Sequence, residues 1–178
     1  MKRIIILPVL LFVASYSIAE ITKPISAPNI KMSSAQWIKF NHPSKVFTID
    51  VPKSWGKANQ FKYDPNVFSF YPSDSSEFTV SITENLNLPK ELPYSAVKMM
   101  FPTETPTNEP KRNNGAGWNS IRQDFKGMKS GKDWVWFSVF YGFGSNAIAI
   151  TLSDSADKIG KHKEVFEAIM HSIVFRKK

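Results

Sequence analysis

The sequence contains no cysteine. Disulfides, thiolate nucleophiles, thiolate metal shells and a lipid-bearing cysteine are all excluded, so the chain must be held by packing alone. Histidine is scarce, with three residues in 178. On a helix of ~3.6 residues per turn His162 and His171 would point to opposite sides, and they cannot share a metal. His42 lies in an Asn-His-Pro turn. Without cysteines a zinc shell would need several carboxylates beside these rings. The three read as surface histidines, and neither a metal nor a cofactor is expected.

Catalytic motifs are also lacking. There is no Gly-x-Ser-x-Gly, no His-Glu-x-x-His and no phosphate loop. Glu104 and Glu109 fall in an aperiodic stretch, while Asp154 and Asp157 read as helix caps, so neither pair makes an acid and a base. The letters Gly142-Phe143-Gly144-Ser145-Asn146-Ala147 approach a dinucleotide fingerprint. That fingerprint needs a helix to follow, and residues 147–152 read as a strand, which makes the glycines a hairpin turn. No catalytic residue is expected.

Of long apolar runs there is one, residues 4–14, shorter than the ~18 a membrane span needs and interrupted by Pro8. Lys2 and Arg3 precede it and Ser17-Ile18-Ala19 follows, the three-part layout of a secretory signal. Residues 1–19 are therefore expected to be a cleaved signal peptide, placing the mature protein in the periplasm or outside the cell with no membrane span. Residues 20–35, with Pro24 and Pro28, read as a flexible lead-in, and residues 36–178 as one domain. Lys and Arg outnumber Asp and Glu by 23 to 15, a formal charge of +8, two units of it on Lys2 and Arg3. The basic residues form no dense block, and export makes nucleic acid an unexpected partner.

What the sequence does have is aromatic side chains, 14 Phe with five Trp and five Tyr. They concentrate in residues 133–143, where alternation puts Trp134, Trp136 and Phe140 on one side and Val135, Phe137, Val139, Tyr141 and Phe143 on the other. A strand apolar on both faces must be covered on both, so it is central. Residues 37–40 and 46–51 read as a hairpin, 61–71 as a strand interrupted at Asp64-Pro65-Asn66, and 78–83 as a strand with Phe78, Val80 and Ile82 inward and hydroxyls outward. Residues 118–125 pair with the central strand through a Gly-containing turn at 126–132.

Residues 93–101 predict a short helix with Tyr94, Val97 and Phe101 on one face. Residues 157–171 predict a longer one, entered through Ser153-Asp154-Ser155. It is expected to lie against the small face of 147–152, formed by Ala147, Ala149 and Thr151, with Ile148, Ile150 and Leu152 opposite. Val174 and Phe175 add a last short strand.

Residues 102–117 show neither period and read as a long loop. Lys111 and Arg112 in it, with Trp118 beside it, have the composition of a protein interface. The competing reading is a mobile connector with Trp118 tucked into the core.

Phe47-x-Ile49-x-Val51-Pro52-x-x-Trp55, Phe78-x-Val80-x-Ile82, Ile148-Ala149-Ile150-Thr151 and Phe166-x-x-Ile169-x-x-Ser172-Ile173-x-Phe175, in that order, resemble the PsbP/Mog1-like superfamily. The resemblance implies an α+β fold, a layered α/β/α sandwich with a twisted, mainly antiparallel sheet of about six strands. It transfers no catalytic motif and implies an accessory, assembly or chaperone-like role. The expectation is an exported, non-catalytic protein-binding module of the bacterial envelope. The alternatives are an immunity or inhibitor protein against a toxin, and a hydrolase using a serine near His42 or His162.

Overall fold

The computed structural model describes residues 36–72, 76–84 and 92–176. The expected signal peptide and lead-in, residues 1–19 and 20–35, lie outside them. The aromatic stretch is the twelve-residue strand β10 (Lys132–Phe143). Along one side it pairs over its length with β11 (Asn146–Ser155). Along the other it pairs first with β9 (Phe125–Lys129) and then with β8 (Trp118–Arg122). It is an interior strand, as two-sided greasiness requires.

The main sheet is antiparallel and has nine strands. Beyond β11 come β5 (Glu77–Thr83), β4 (Asp64–Phe70) and β3 (Asn59–Phe61); beyond β8 comes β7 (Lys111–Gly115); β6 (Thr105–Pro106) pairs with β9. A separate three-stranded sheet joins β1 (Trp37–Asn41), β2 (Phe47–Pro52) and β12 (Val174–Phe175). The expectation of about six strands was therefore too low. The aperiodic 102–117 stretch is not one loop but supplies β6 and β7, and both are exposed. A strand wet on both faces has no apolar alternation to reveal it.

Two turns also move. The chain reverses at Lys62-Tyr63, not at Asp64-Pro65-Asn66, and Asp64 already pairs with Phe61. The turn into β10 is only Ser130-Gly131, both at positive φ (52° and 74°), the backbone of a tight I′-type hairpin. Gly144-Ser145 turns β10 into β11 as expected, with Phe143 opposite Asn146.

The two faces of the sheet carry different covers. On one, Val139, Tyr141 and Phe143 pack with Ile148, Ile150, Leu152, Phe78 and Val80 under β2 and the second helix. That helix, α2 (Lys163–His171), follows a 3-10 turn (Ile159–His162) and buries Phe166 and Ile169. On the other face Phe140, Ile121, Phe125 and Ala149 pack under the first helix, α1 (Tyr94–Met100), which buries Val97. Each fully buried side chain of this kind contributes about 1.5–3 kcal/mol of transfer energy.

The face assignment of β11 holds, but the helices are exchanged. The small face at Ala149 takes α1, and α2 lies over Ile148, Ile150 and Leu152. Helix α1 presents a single deeply buried residue, Val97, and a small contact demands a close approach. The Ser153-Asp154-Ser155 entry is likewise not a cap, because all three residues belong to β11.

Candidate functional site

The three residues singled out for binding do not form one cluster. Gly115 is opposite Trp118 and Arg112 is opposite Ile121 across the β7–β8 pair, so alternation puts Lys111 and Trp118 toward the α2 face and Arg112 toward the α1 face. Trp118 turns inward, its ring 5.8 Å from both Tyr141 and Phe175. Arg112 donates from Nη1 to the Leu92 carbonyl at 3.0 Å, which ties the edge strand to the start of α1. Lys111 is exposed with the rest of β7.

β7 is held firmly. Its approach is anchored by Gln123, whose Nε2 donates to the Asn108 carbonyl and to Asn108 Oδ1 (2.8 Å), while its Oε1 accepts from the Tyr94 hydroxyl at 3.1 Å. Thr107 N–H donates to the Asp124 carbonyl at 2.9 Å, and Asn108 Nδ2 to Asp124 Oδ2, also 2.9 Å. Burial pushes the Asp124 carboxyl above the ordinary aspartate range, although Arg122 and Asn108 pull the other way. Nothing in the letters Gln123 or Asn108 announces this junction. A buried amide has no period, and its partners lie on other elements.

The histidines correct a second expectation, since two of the three are interior. His42 is 1 % exposed and stacks on Phe47 with centroids 5.1 Å apart. Its Nδ1 lies 2.9 Å from Ser44 Oγ and its Nε2 is 3.4 Å from the Asn66 carbonyl, linking the β1–β2 turn to β4. Burial holds its pKa below the ordinary histidine value.

His162 lies with Ser76 and Asp154. Ser76 Oγ donates to Asp154 Oδ2 at 2.6 Å and sits 3.1 Å from His162 Nε2, which is itself 3.6 Å from Asp154 Oδ2. Burial first, and Lys161 second, lower the His162 pKa against the pull of Asp154. Because the Ser76 hydroxyl proton goes to Asp154, the serine oxygen is left to accept from the Nε2–H tautomer of the ring. A nucleophilic triad needs the opposite wiring, with the carboxylate on the far ring nitrogen and the serine proton aimed at the histidine. Ser76 is also 1 % exposed and Asp154 0 %, so the group is interior rather than set in a cleft. The group is a latch joining β5, β11 and the turn before α2.

What the site offers chemically is an edge. β7 ends the nine-stranded sheet, with Lys111, Arg112 and Asn113 outermost and exposed. Among the described residues β8 is its paired neighbour. A sheet edge presents backbone N–H and C=O groups to an incoming strand.

No protein-family model and no curated protein matches the chain. Among solved structures it is similar to a Bacteroides thetaiotaomicron VPI-5482 protein, at 20 % identity over 80 % of this chain with a TM-score of 0.55. The chain spans half (50 %) of that protein's length. It is similar to LpqN of Mycobacterium tuberculosis, involved in cell envelope biogenesis, at 10 % identity over 80 % of this chain and 91 % of that one, TM-score 0.60. It is similar to cyanobacterial PsbP from Synechocystis sp. PCC 6803, at 13 % identity over 82 % of this chain and 96 % of that one, TM-score 0.58. At such identities the likeness speaks for architecture alone, and that architecture is the PsbP/Mog1-like fold.

Proposed function

We propose that the chain is an exported, non-catalytic protein-binding module, an accessory or assembly factor of a bacterial envelope, and that β7 is where its partner adds a strand. The observation that carries this reading is the exposed edge Lys111–Gly115, tied through Arg112 to the Leu92 carbonyl and basic at its start. Strand addition takes affinity from main-chain hydrogen bonds and selectivity from side chains beside the edge. Lys111 and Arg112 favour an extended segment with acidic residues. The sequence pattern of residues 1–19 supports export, and the envelope role of the similar LpqN supports the setting. The wiring of Ser76, His162 and Asp154 speaks against hydrolysis at the one serine–histidine–aspartate group found among the described residues.

Charged edges also keep a sheet from pairing with its own copies, and the experiment must separate that from recognition. Envelope extract is passed over the wild-type chain and over a Lys111→Glu/Asn113→Glu variant of unchanged circular dichroism. A protein retained by the first and lost from the second supports the reading. An identical set on both, or a variant that merely aggregates, refutes it. Sequencing the mature N-terminus tests export separately, with Glu20 the expected first residue.

A further inference from the structure

At the opposite end of the sheet the β3–β4 hairpin carries two large aromatic side chains in water. Phe61 is 53 % exposed and Tyr63 81 %. Their rings meet edge to face, with centroids 5.9 Å apart, and the Lys62 ammonium lies 5.5 Å from the Tyr63 centroid. Exposed singly, such residues would need no explanation. Here they are paired at the tip of a two-residue turn, where no core is within reach.

The size of the patch decides what it can hold. A buried aromatic side chain removes about 150–250 Å² from water, so these two, partly exposed, offer roughly 300 Å². A stable protein interface takes about 800 Å² from each partner, and the residues flanking the tip, Asn59, Gln60, Asp64 and Asn66, extend it with polar surface. A lipid interface asks for less. Aromatic rings settle at headgroup level, and a lysine between them keeps its ammonium at the phosphates. The chain adds at longer range its formal +8 less the two units on Lys2 and Arg3 that leave with residues 1–19, a net positive charge attractive to an anionic bilayer within about a Debye length. Close to the tip, Lys62 is offset by Asp64, whose Oδ1 is engaged by the Asn66 N–H at 2.9 Å.

We infer that the β3–β4 hairpin is a membrane-contacting tip that seats Phe61 and Tyr63 in the interface of an anionic lipid surface. No helix among the described residues is long and apolar enough to cross a membrane, and this contact requires none. The tip belongs to the β3–β4 pair at one end of the strand order and β7 lies at the other, so contact with lipid through the tip does not use the residues of the β7 edge.

The absence of native cysteine makes the test direct. Tyr63→Cys in the full chain is labelled with an environment-sensitive fluorophore, and Lys111→Cys likewise as a control. Each is mixed with phosphatidylcholine vesicles and with vesicles of equal parts phosphatidylcholine and phosphatidylglycerol. The expected result is a blue shift at position 63 on the anionic vesicles, weakened by added salt and absent at position 111. Adding Phe61→Ser should weaken partitioning about tenfold. A tip that stays in water on both vesicles overturns the inference, as does an equal shift at both positions or a shift indifferent to Phe61→Ser. Self-association through the labelled tip without lipid binding would assign the patch to a protein contact and overturn it too.

Discussion

The indole of Trp118 closes over the α-carbon of Gly115, leaving no room for a β-carbon. The ring is backed by Tyr141 and Phe175 and cannot retreat freely. Gly115→Ala should therefore destabilise the chain by about 1–3 kcal/mol, read as a lower urea midpoint. Loss of the contact should also shift the tryptophan emission toward the red.

Arg122 couples the sheet to α2, its Nη1 lying 2.5 Å from Glu167 Oε1, with the guanidinium 5.7 Å from the Phe166 centroid. Both side chains are partly buried, so the pair is screened less than a surface bridge. A double-mutant cycle with Arg122→Ala and Glu167→Ala should give a coupling of about 1 kcal/mol. The Arg122 variant should cost more than the Glu167 variant, because it also removes the contact with Phe166 and the neighbour of Asp124.

Gln123→Leu removes an amide that three elements share, stranding the Tyr94 hydroxyl and the Asn108 carbonyl. A cost of about 1–2 kcal/mol is expected from the lost hydrogen bonds, since Tyr94 is half-buried and Asn108 exposed, where water can replace the amide. Amide exchange should quicken at Thr107, whose N–H is bonded to Asp124, more than at residues of β5. Uniform acceleration would show that Gln123 does not anchor the edge segment.

Both buried histidines have pKa values lowered from 6.5 in the folded chain. The unfolded chain then binds more protons just below that pH, so stability falls as pH drops through 6.5 and levels off below the folded values. Thermal midpoints should decline across this window, and His162→Gln should remove part of the slope. Asp124, raised by burial, acts with the opposite sign at lower pH, where its proton is held more tightly by the folded chain.

Legibility followed the boundary between apolar and wet. Phe78, Val80 and Ile82 were readable because β5 has one face in the core, and residues 133–143 because both faces of β10 are covered. Lys111–Gly115 was not, since an edge strand exposed on both faces leaves no period in the sequence. The same limit hid the latch: Ser76 and His162 are far apart in the chain, and only the meeting of β5 with the turn before α2 buries the imidazole. The resemblance carried the order of elements. It could not say which helix lies over which face, because a run of small residues invites any helix with a narrow contact. Of the three binding candidates, Lys111 and Arg112 flank the exposed edge, and Trp118 is turned inward.

The three-stranded sheet brings Phe47 opposite Phe175, residues separated by most of the described chain. A nascent polypeptide can pair β10 with β11 and β4 with β5 from near neighbours, but β2 gains its second partner only when residues 174–175 have emerged. Such long-range closure is slow relative to hairpin formation. Until then that edge of β2 stays unfilled, so losing residues 174–176 is a lesion in the fold's first strands.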